Sequence, residues 1–326
     1  MVYDREIDKA VAILGRGGLV AFPTETVYGL GADAGNPAAL KKLYAAKGRP
    51  TGHPVIVHLA DVSQLAQWAR DVPPAAAKLA AKFWPGPLTL IMRRAPDVSD
   101  AVTGGQDTVG LRIPSHPIAH ALLTKFGGGV AAPSANRFGR VSATTAQHVW
   151  QEFGASVELV LDGGQSDVGI ESTIVDVTGK RPVLLRPGHI SAREIEQTVG
   201  VPLATPHADS PRAPGTLAAH YAPKTPLLVT EADLLLELAA SLTRQGKRVA
   251  VLARSTLQPL LPGLTWISAP HDAPAYAHHV YAHLRTLDAA GCDAILVEKL
   301  PQQPEWAAVN DRLVRAAAGS RPPSAS

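Results

Sequence analysis

Phe22-Pro23-Thr24-Glu25-Thr26-Val27-Tyr28-Gly29-Leu30-Gly31, entered from the apolar run Gly18-Leu19-Val20-Ala21, turns polar where a strand should be closing. Hydroxyls at Thr24 and Thr26, a carboxylate at Glu25 and a phenol at Tyr28 stand between a short, apolar strand and a glycine-rich turn. In open α/β sheets ligands collect where strands end. The stretch therefore predicts an α/β unit with a ligand site at the mouth of its first strand. Two further segments have the same character: Lys47-Gly48-Arg49-Pro50, and Ala132-Pro133-Ser134-Ala135-Asn136 after the apolar Val130-Ala131.

On the N-terminal side, Ile7, Val11 and Leu14 recur at helical spacing before Gly15 and Gly17-Gly18, which predicts an amphipathic helix stopped by glycine. Beyond the strand at 19–22, the pattern predicts helices at 38–46, 62–69, 74–83, 118–126 and 144–153. Strands are expected at 54–59, 88–92, 109–113, 159–161, 173–177 and 183–185. Strands that come in runs as well as alternating with helices favour a twisted mixed sheet with flanking helices. From 226 the order is simpler: strand 227–230, helix 232–245, strand 249–253, a helix within 275–290, strand 294–298 and helix 306–318. That alternation predicts a smaller doubly wound, Rossmann-like α/β domain. It has no Gly-x-Gly-x-x-Gly turn after its first strand, so nucleotide binding there is not expected. The expected organisation is thus a catalytic domain at 1–204, a Pro/Ser/Ala-rich linker at 205–225, the small domain at 226–318 and a flexible tail at 319–326.

At 326 residues, 46% hydrophobic and 18% charged, the chain is long enough for two domains with their own cores. A net charge of +3 and a pI near 9.0 are far from the dense basic runs of a nucleic-acid-coating protein, and fit a local anion site better. The single cysteine, Cys292, excludes an internal disulfide and a multi-cysteine metal site. No stretch of signal-peptide length opens the chain and no apolar run could span a bilayer, so no membrane association and a cytoplasmic location are expected.

Lys47 and Arg49 are two cations on one short loop, separated by a glycine and followed by a proline that fixes the turn. A guanidinium that bridges two oxygens beside an ammonium suits a triphosphate; the plainer reading is favourable charge at a helix C-terminus. The Ser134-Ala135-Asn136 turn, with Ser142 and Thr144 soon after, places small polar groups where backbone can approach a ligand, or else simply stabilises a turn. Arg112 and Arg186 sit among strand apolar residues and each needs an anionic partner, either a protein carboxylate such as Glu171 or a ligand carboxylate or phosphate. His58 ends an apolar run, where a histidine is more often a hydrogen-bonded core residue than a catalyst. His278, His279 and His283 have a spacing that suggests metal, but no carboxylate or thiolate cluster accompanies them, so a solvated helix face is expected and no metal site. There is no P-loop and no nucleophile elbow.

Taken together, Phe22-Pro-Thr-Glu-Thr-Val-Tyr-Gly-Leu30, Lys47-Gly-Arg-Pro50, Trp84-Pro-Gly-Pro-Leu-Thr89, Gly110-Leu-Arg-Ile-Pro114, Pro133-Ser-Ala-Asn136, Glu171-Ser-Thr-Ile174 and Leu185-Arg-Pro-Gly188 resemble the YrdC-like family. Pro214-Gly215, His220-Tyr-Ala-Pro-Lys-Thr-Pro226 and Asn310-Asp-Arg-Leu313 extend the resemblance to its two-domain branch, the threonylcarbamoyl-AMP synthases. The resemblance implies an N-terminal YrdC-like domain and a nucleotidyltransferase that makes L-threonylcarbamoyl-AMP and pyrophosphate from L-threonine, bicarbonate and ATP. A separate transferase complex then modifies the tRNA adenosine beside the anticodon. It implies Thr26, His58, Arg112, Ala132 and Ser172 at threonine, and Arg49, His53, Thr108, Ser134, Ser142, Arg186 and Tyr221 at ATP. Lys47 and Arg49 would act on the phosphates, and Mg²⁺ would come with them. Contact with tRNA is expected to be weak at most. Position 53 is His where the family commonly has Asn, and Gly215-Thr-Leu-Ala-Ala-His220 replaces a more usual methionine and basic residue. Tyr221 within the linker suggests a lid. The competing readings are a non-catalytic RNA-binding module of the same fold, which the modest charge disfavours, and a hydrogenase-maturation carbamoyltransferase, whose zinc-finger and acylphosphatase-like regions have no counterpart here.

Overall fold

The computed structural model describes residues 2–320; of the tail expected at 319–326, the part from 321 lies outside the described residues. The chain divides into two compact units. The first holds the residues up to Phe138 together with Ala143–Thr216, and the second holds Gly139–Ser142 together with the chain from Leu217 onward. Each is described by itself.

The first unit is built on one sheet of nine strands: β1 (Val20–Phe22), β2 (Gly29–Asp33), β3 (Ile56–His58), β4 (Leu88–Arg93), β5 (Thr108–Arg112), β6 (Val130–Ala131), β7 (Leu159–Val160), β8 (Thr173–Asp176) and β9 (Val183–Arg186). Their spatial order is β7-β1-β2-β6-β3-β5-β4-β8-β9. The β1/β7, β3/β5 and β4/β8 pairs are parallel and the rest antiparallel, so the sheet is mixed, as its sequence pattern predicts. Side-chain alternation sends Val57, Leu111, Leu90 and Met92 into the larger core. The opposite face of the same strands carries Ile56, His58, Arg112, Thr89 and Ile91, where the polar site lies. A second core joins the helices Val2–Gly15 and Pro117–Phe126 to β1 and β6 through Leu14, Phe22, Leu122 and Val130.

The helix Pro37–Lys47 is fixed at both ends. Asn36 accepts the amides of Ala38 and Ala39, and Gly48 closes the helix at φ 60° with its amide returned to Ala45 and Tyr44. That left-handed glycine sets the direction in which Lys47 and Arg49 leave the helix. Strand β2, in contrast, falls where the sequence predicts a glycine-rich turn. A Cβ on Gly31 would lie 2.8 Å from Phe22 and 3.0 Å from Val130, so glycine is there to let neighbouring side chains close over the strand. The helices Asp100–Thr103 and Ala192–Val199 are also additional to the predicted elements.

The second unit is an all-parallel sheet of β10 (Leu227–Thr230), β11 (Val249–Ala253), β12 (Leu264–Ser268) and β13 (Ala294–Glu298), ordered β10-β13-β11-β12. The helices Ala232–Arg244, Ala273–Ala289 and Ala307–Ala318 follow β10, β12 and β13, while β11 leads to β12 with no helix between, and every residue of β11 is buried, so both faces are covered. Strand β12 is additional to the predicted pattern. Glu298, at the end of β13, accepts the backbone amides of Arg254, Ser255 and Thr256 at 2.8–3.0 Å and the Ser255 hydroxyl. Burial pushes its pKa up, but these hydrogen bonds outweigh burial and hold it below the usual value.

His278, His279 and His283 are half-buried on the helix Ala273–Ala289 rather than solvated, with His279 stacked on His283 at 5.4 Å. Burial, with His279 beside it, lowers His283 to about 4. No group of three His, Cys, Asp or Glu among the described residues could hold a metal, and no helix among them is long and apolar enough to cross a membrane.

Candidate active site

The loop between β1 and β2 is organised by its own hydroxyls. Thr24 Oγ1 donates to Val27 O at 2.6 Å and accepts the amides of Thr26 and Val27. Its single proton is thereby used, so across the 2.9 Å contact Thr26 Oγ1 is the donor and Thr24 the acceptor. Thr26 Oγ1 in turn accepts Arg112 Nη1 at 2.8 Å. Arg112 Nη2 donates to Glu25 Oε1 at 2.6 Å, and Nε to Gly86 O at 3.3 Å. The carboxylate partner of Arg112 is therefore Glu25, not the Glu171 offered as an example, and the pair is almost fully buried, at 4% and 7% side-chain exposure. Glu25 was visible in the opening stretch, but no spacing rule links it to an arginine 87 positions away.

His58 stands beside Arg112 because the β3/β5 register pairs the two residues. It is 3% exposed and hydrogen-bonds the backbone of Ile56, while its Nδ1 has no partner among the described residues. Burial first and the Arg112 charge second lower its pKa to about 3, so the ring is neutral. Ala132 donates its amide to Ile56 O at 3.0 Å, next to His58 on β3. Ser172 Oγ lies 2.8 Å from Thr89 Oγ1 and accepts Arg186 Nη2 at 3.1 Å, while Arg186 also holds the carbonyl oxygens of Ser172 and Pro214.

A second group assembles around the end of the helix Pro37–Lys47. Lys47 is 2% exposed, and its Nζ donates to Ser134 O at 2.5 Å and to Asn136 O. Two of its three protons are so used, leaving one for a ligand. Burial, aided by Arg49, lowers its pKa well below that of a free lysine. Arg49 donates to His53 O and Pro54 O and lies over the Phe138 ring at 5.5 Å. His53 is half-buried with its pKa lowered by burial and by Arg49 and Arg212. The Ser134 turn is stitched to β2 by Leu30 N to Pro133 O and Ala135 N to Tyr28 O, which ties the cationic group to the Thr26 loop.

Thr108 opens β5 and Arg112 closes it, so they stand ~13 Å apart along the strand. One small ligand cannot meet both, but two ligands side by side can. Thr108 Oγ1 is buried with no partner among the described residues, which suits a group awaiting a ligand. Ser142 and Tyr221 belong to the second unit. There Arg285 holds the carbonyls of Val141 and Ser142, and Tyr221, at φ 60°, stacks on Tyr281 at 5.8 Å beneath Arg312.

A sequence model of the Sua5, YciO and YrdC proteins, described as telomere recombination, matches residues 12–188. One described as the threonylcarbamoyl-AMP synthase C-terminal domain matches residues 190–318. The threonylcarbamoyl-AMP synthase of Pyrococcus abyssi is 39% identical over 96% of this chain and 94% of its own length. That of Bacillus subtilis is 40% identical over 97% and 94%. The crystal structure of P. abyssi Sua5 complexed with L-threonine superposes with a TM-score of 0.89 at 38% identity, covering 96% of this chain and 94% of that one.

Proposed function

Because the chain belongs to the two-domain threonylcarbamoyl-AMP synthase family, we propose that it converts L-threonine, bicarbonate and ATP into L-threonylcarbamoyl-AMP, pyrophosphate and water. The observation that carries this reading is the pairing, within one unit, of two different anion-binding groups. Arg112, with Thr26 and the neutral His58 beside it, has the size and polarity to hold an amino acid. Lys47 and Arg49, tied to the Ser134 turn, have the charge to hold a triphosphate.

No enzyme nucleophile is required. The threonine amine adds to bicarbonate and water leaves, giving a carbamate, whose oxygen attacks the α-phosphorus and displaces pyrophosphate. Catalysis is then largely the positioning of two anions that would repel in water. Arg112 holds the threonine carboxylate, with His58, Ala132 and Ser172 around it. Arg49, His53, Thr108, Ser134 and Arg186 contact ATP, and Lys47 and Arg49 stabilise the departing pyrophosphate. Mg²⁺, when bound with ATP, would offset charge on the triphosphate beside Lys47 and Arg49. The product is a mixed anhydride, and its consumer is a transferase complex that passes the threonylcarbamoyl group to tRNA.

The test is pyrophosphate release with each substrate omitted in turn and with serine in place of threonine. Release should need threonine and bicarbonate together. Equal turnover with serine, or turnover without bicarbonate, would remove the assigned substrate.

A further inference from the structure

The buried pair at the amino-acid end is incompletely used. Arg112 carries five N–H donors, of which Gly86 O, Thr26 Oγ1 and Glu25 Oε1 take one each. Glu25 accepts Arg112 on Oε1 and the Ser115 amide, at 3.1 Å, on Oε2, leaving about half of its four lone-pair sites. Removing two charges from water is expensive, and an apolar pair of the same shape is often at least as stable, so such a pair is weak evidence for stability. The proton order in the loop adds a direction: Thr26 gives its hydrogen to Thr24 and accepts from Arg112, so what it has left to offer is a lone pair. The unpartnered Nδ1 of His58, on the residue that pairs with Arg112 in the sheet register, independently marks this spot as one where a polar ligand belongs.

We propose that Glu25 receives the α-ammonium of the substrate, and that the Glu25–Arg112 pair is a template for a zwitterion, whose carboxylate lies on Arg112 and whose ammonium lies on Glu25 and Thr26. A zwitterion brings no net charge into the buried site and presents opposite charges to both members of the pair. A hydroxy acid or an amino alcohol would each leave one member without its counterpart. The proposal rests on the reading that the substrate is an α-amino acid.

The experiment compares the binding of L-threonine with that of 2,3-dihydroxybutyrate of the same configuration, in which a hydroxyl replaces the ammonium, to the full chain and to Glu25→Gln. The wild type should prefer threonine by roughly 30-fold or more, and Glu25→Gln should bring the two ligands within about threefold while ATP affinity stays unchanged. A Glu25→Gln protein that kept the preference would overturn the proposal. Should that variant not fold, the wild type alone decides. Its affinity for threonine should fall about tenfold per pH unit above the pKa of the ligand's own amine, while the hydroxy analogue shows no such fall. A flat threonine profile overturns the assignment. Pyrophosphate release is measured separately. A wild type that binds threonine selectively but makes no pyrophosphate would refute the proposed reaction and leave the Glu25 assignment standing.

Discussion

Replacing His58 by Gln should remove a defined part of the protein's acid sensitivity. His58 is 3% exposed and, through burial aided by Arg112, titrates at about 3 in the folded chain, against 6.5 when unfolded. Between those values the unfolded chain binds a proton that the folded chain refuses. Stability from this residue is therefore fully present above pH 6.5 and is lost progressively as pH falls towards 3. Each unit below 6.5 is worth about 1.4 kcal/mol, so acidification from pH 7 to pH 5 should cost about 2 kcal/mol at this site and to pH 4 roughly 3 kcal/mol. Glutamine keeps a neutral polar group there and has nothing to titrate. Urea unfolding followed by tryptophan fluorescence at pH 7, 6, 5 and 4 gives the difference between wild type and variant, in which His283 and the carboxylates cancel. That difference should narrow by about 2 kcal/mol between pH 7 and pH 5. Parallel pH profiles for the two proteins would show that His58 takes up its proton as readily in the folded chain as in the unfolded one, and would refute the reasoning.

Arg112→Ala should chiefly raise the threonine requirement and Arg49→Ala the ATP requirement, each losing roughly 2–4 kcal/mol of transition-state stabilisation in steady-state pyrophosphate assays. If both variants raised only the ATP requirement, the division of the site would be wrong. Thr108→Val removes a buried hydroxyl that has no partner, so thermal unfolding should be unchanged or slightly improved while the KM for ATP rises several-fold. A variant with unaltered ATP kinetics would take Thr108 out of the nucleotide site.

What the sequence discloses here follows the range of its signals. The helix Pro74–Phe83 and strands such as β4 and β8 are read closely because their periodicity is local. Strand β2 escapes because its reason is distant: Gly29 and Gly31 look like turn residues until Phe22, Val130 and Ala132 are seen closing on them. The helix Ala192–Val199 carried a readable signal, the Ser191/Glu194 capping box, ahead of an otherwise weak apolar pattern. In the site, Lys47, Arg49, Thr26 and Arg112 stand out by residue type against their surroundings. The hydrogen bonds that give them direction do not: Lys47 reaches carbonyls 87 and 89 positions away, and such closures are products of tertiary packing.

Successive backbone amides like those of Arg254, Ser255 and Thr256 form a concavity suited to anions, and in doubly wound sheets the crevice at the strand ends is where phosphates settle. In the second unit Glu298 occupies that concavity, so the fold carries its guest as part of its own chain. The loop after β11 thus takes the partner of its amides from the chain itself, a contact that adds no concentration-dependent term to its stability. The partner of that loop's amides is inherited with the sequence rather than borrowed from the solution.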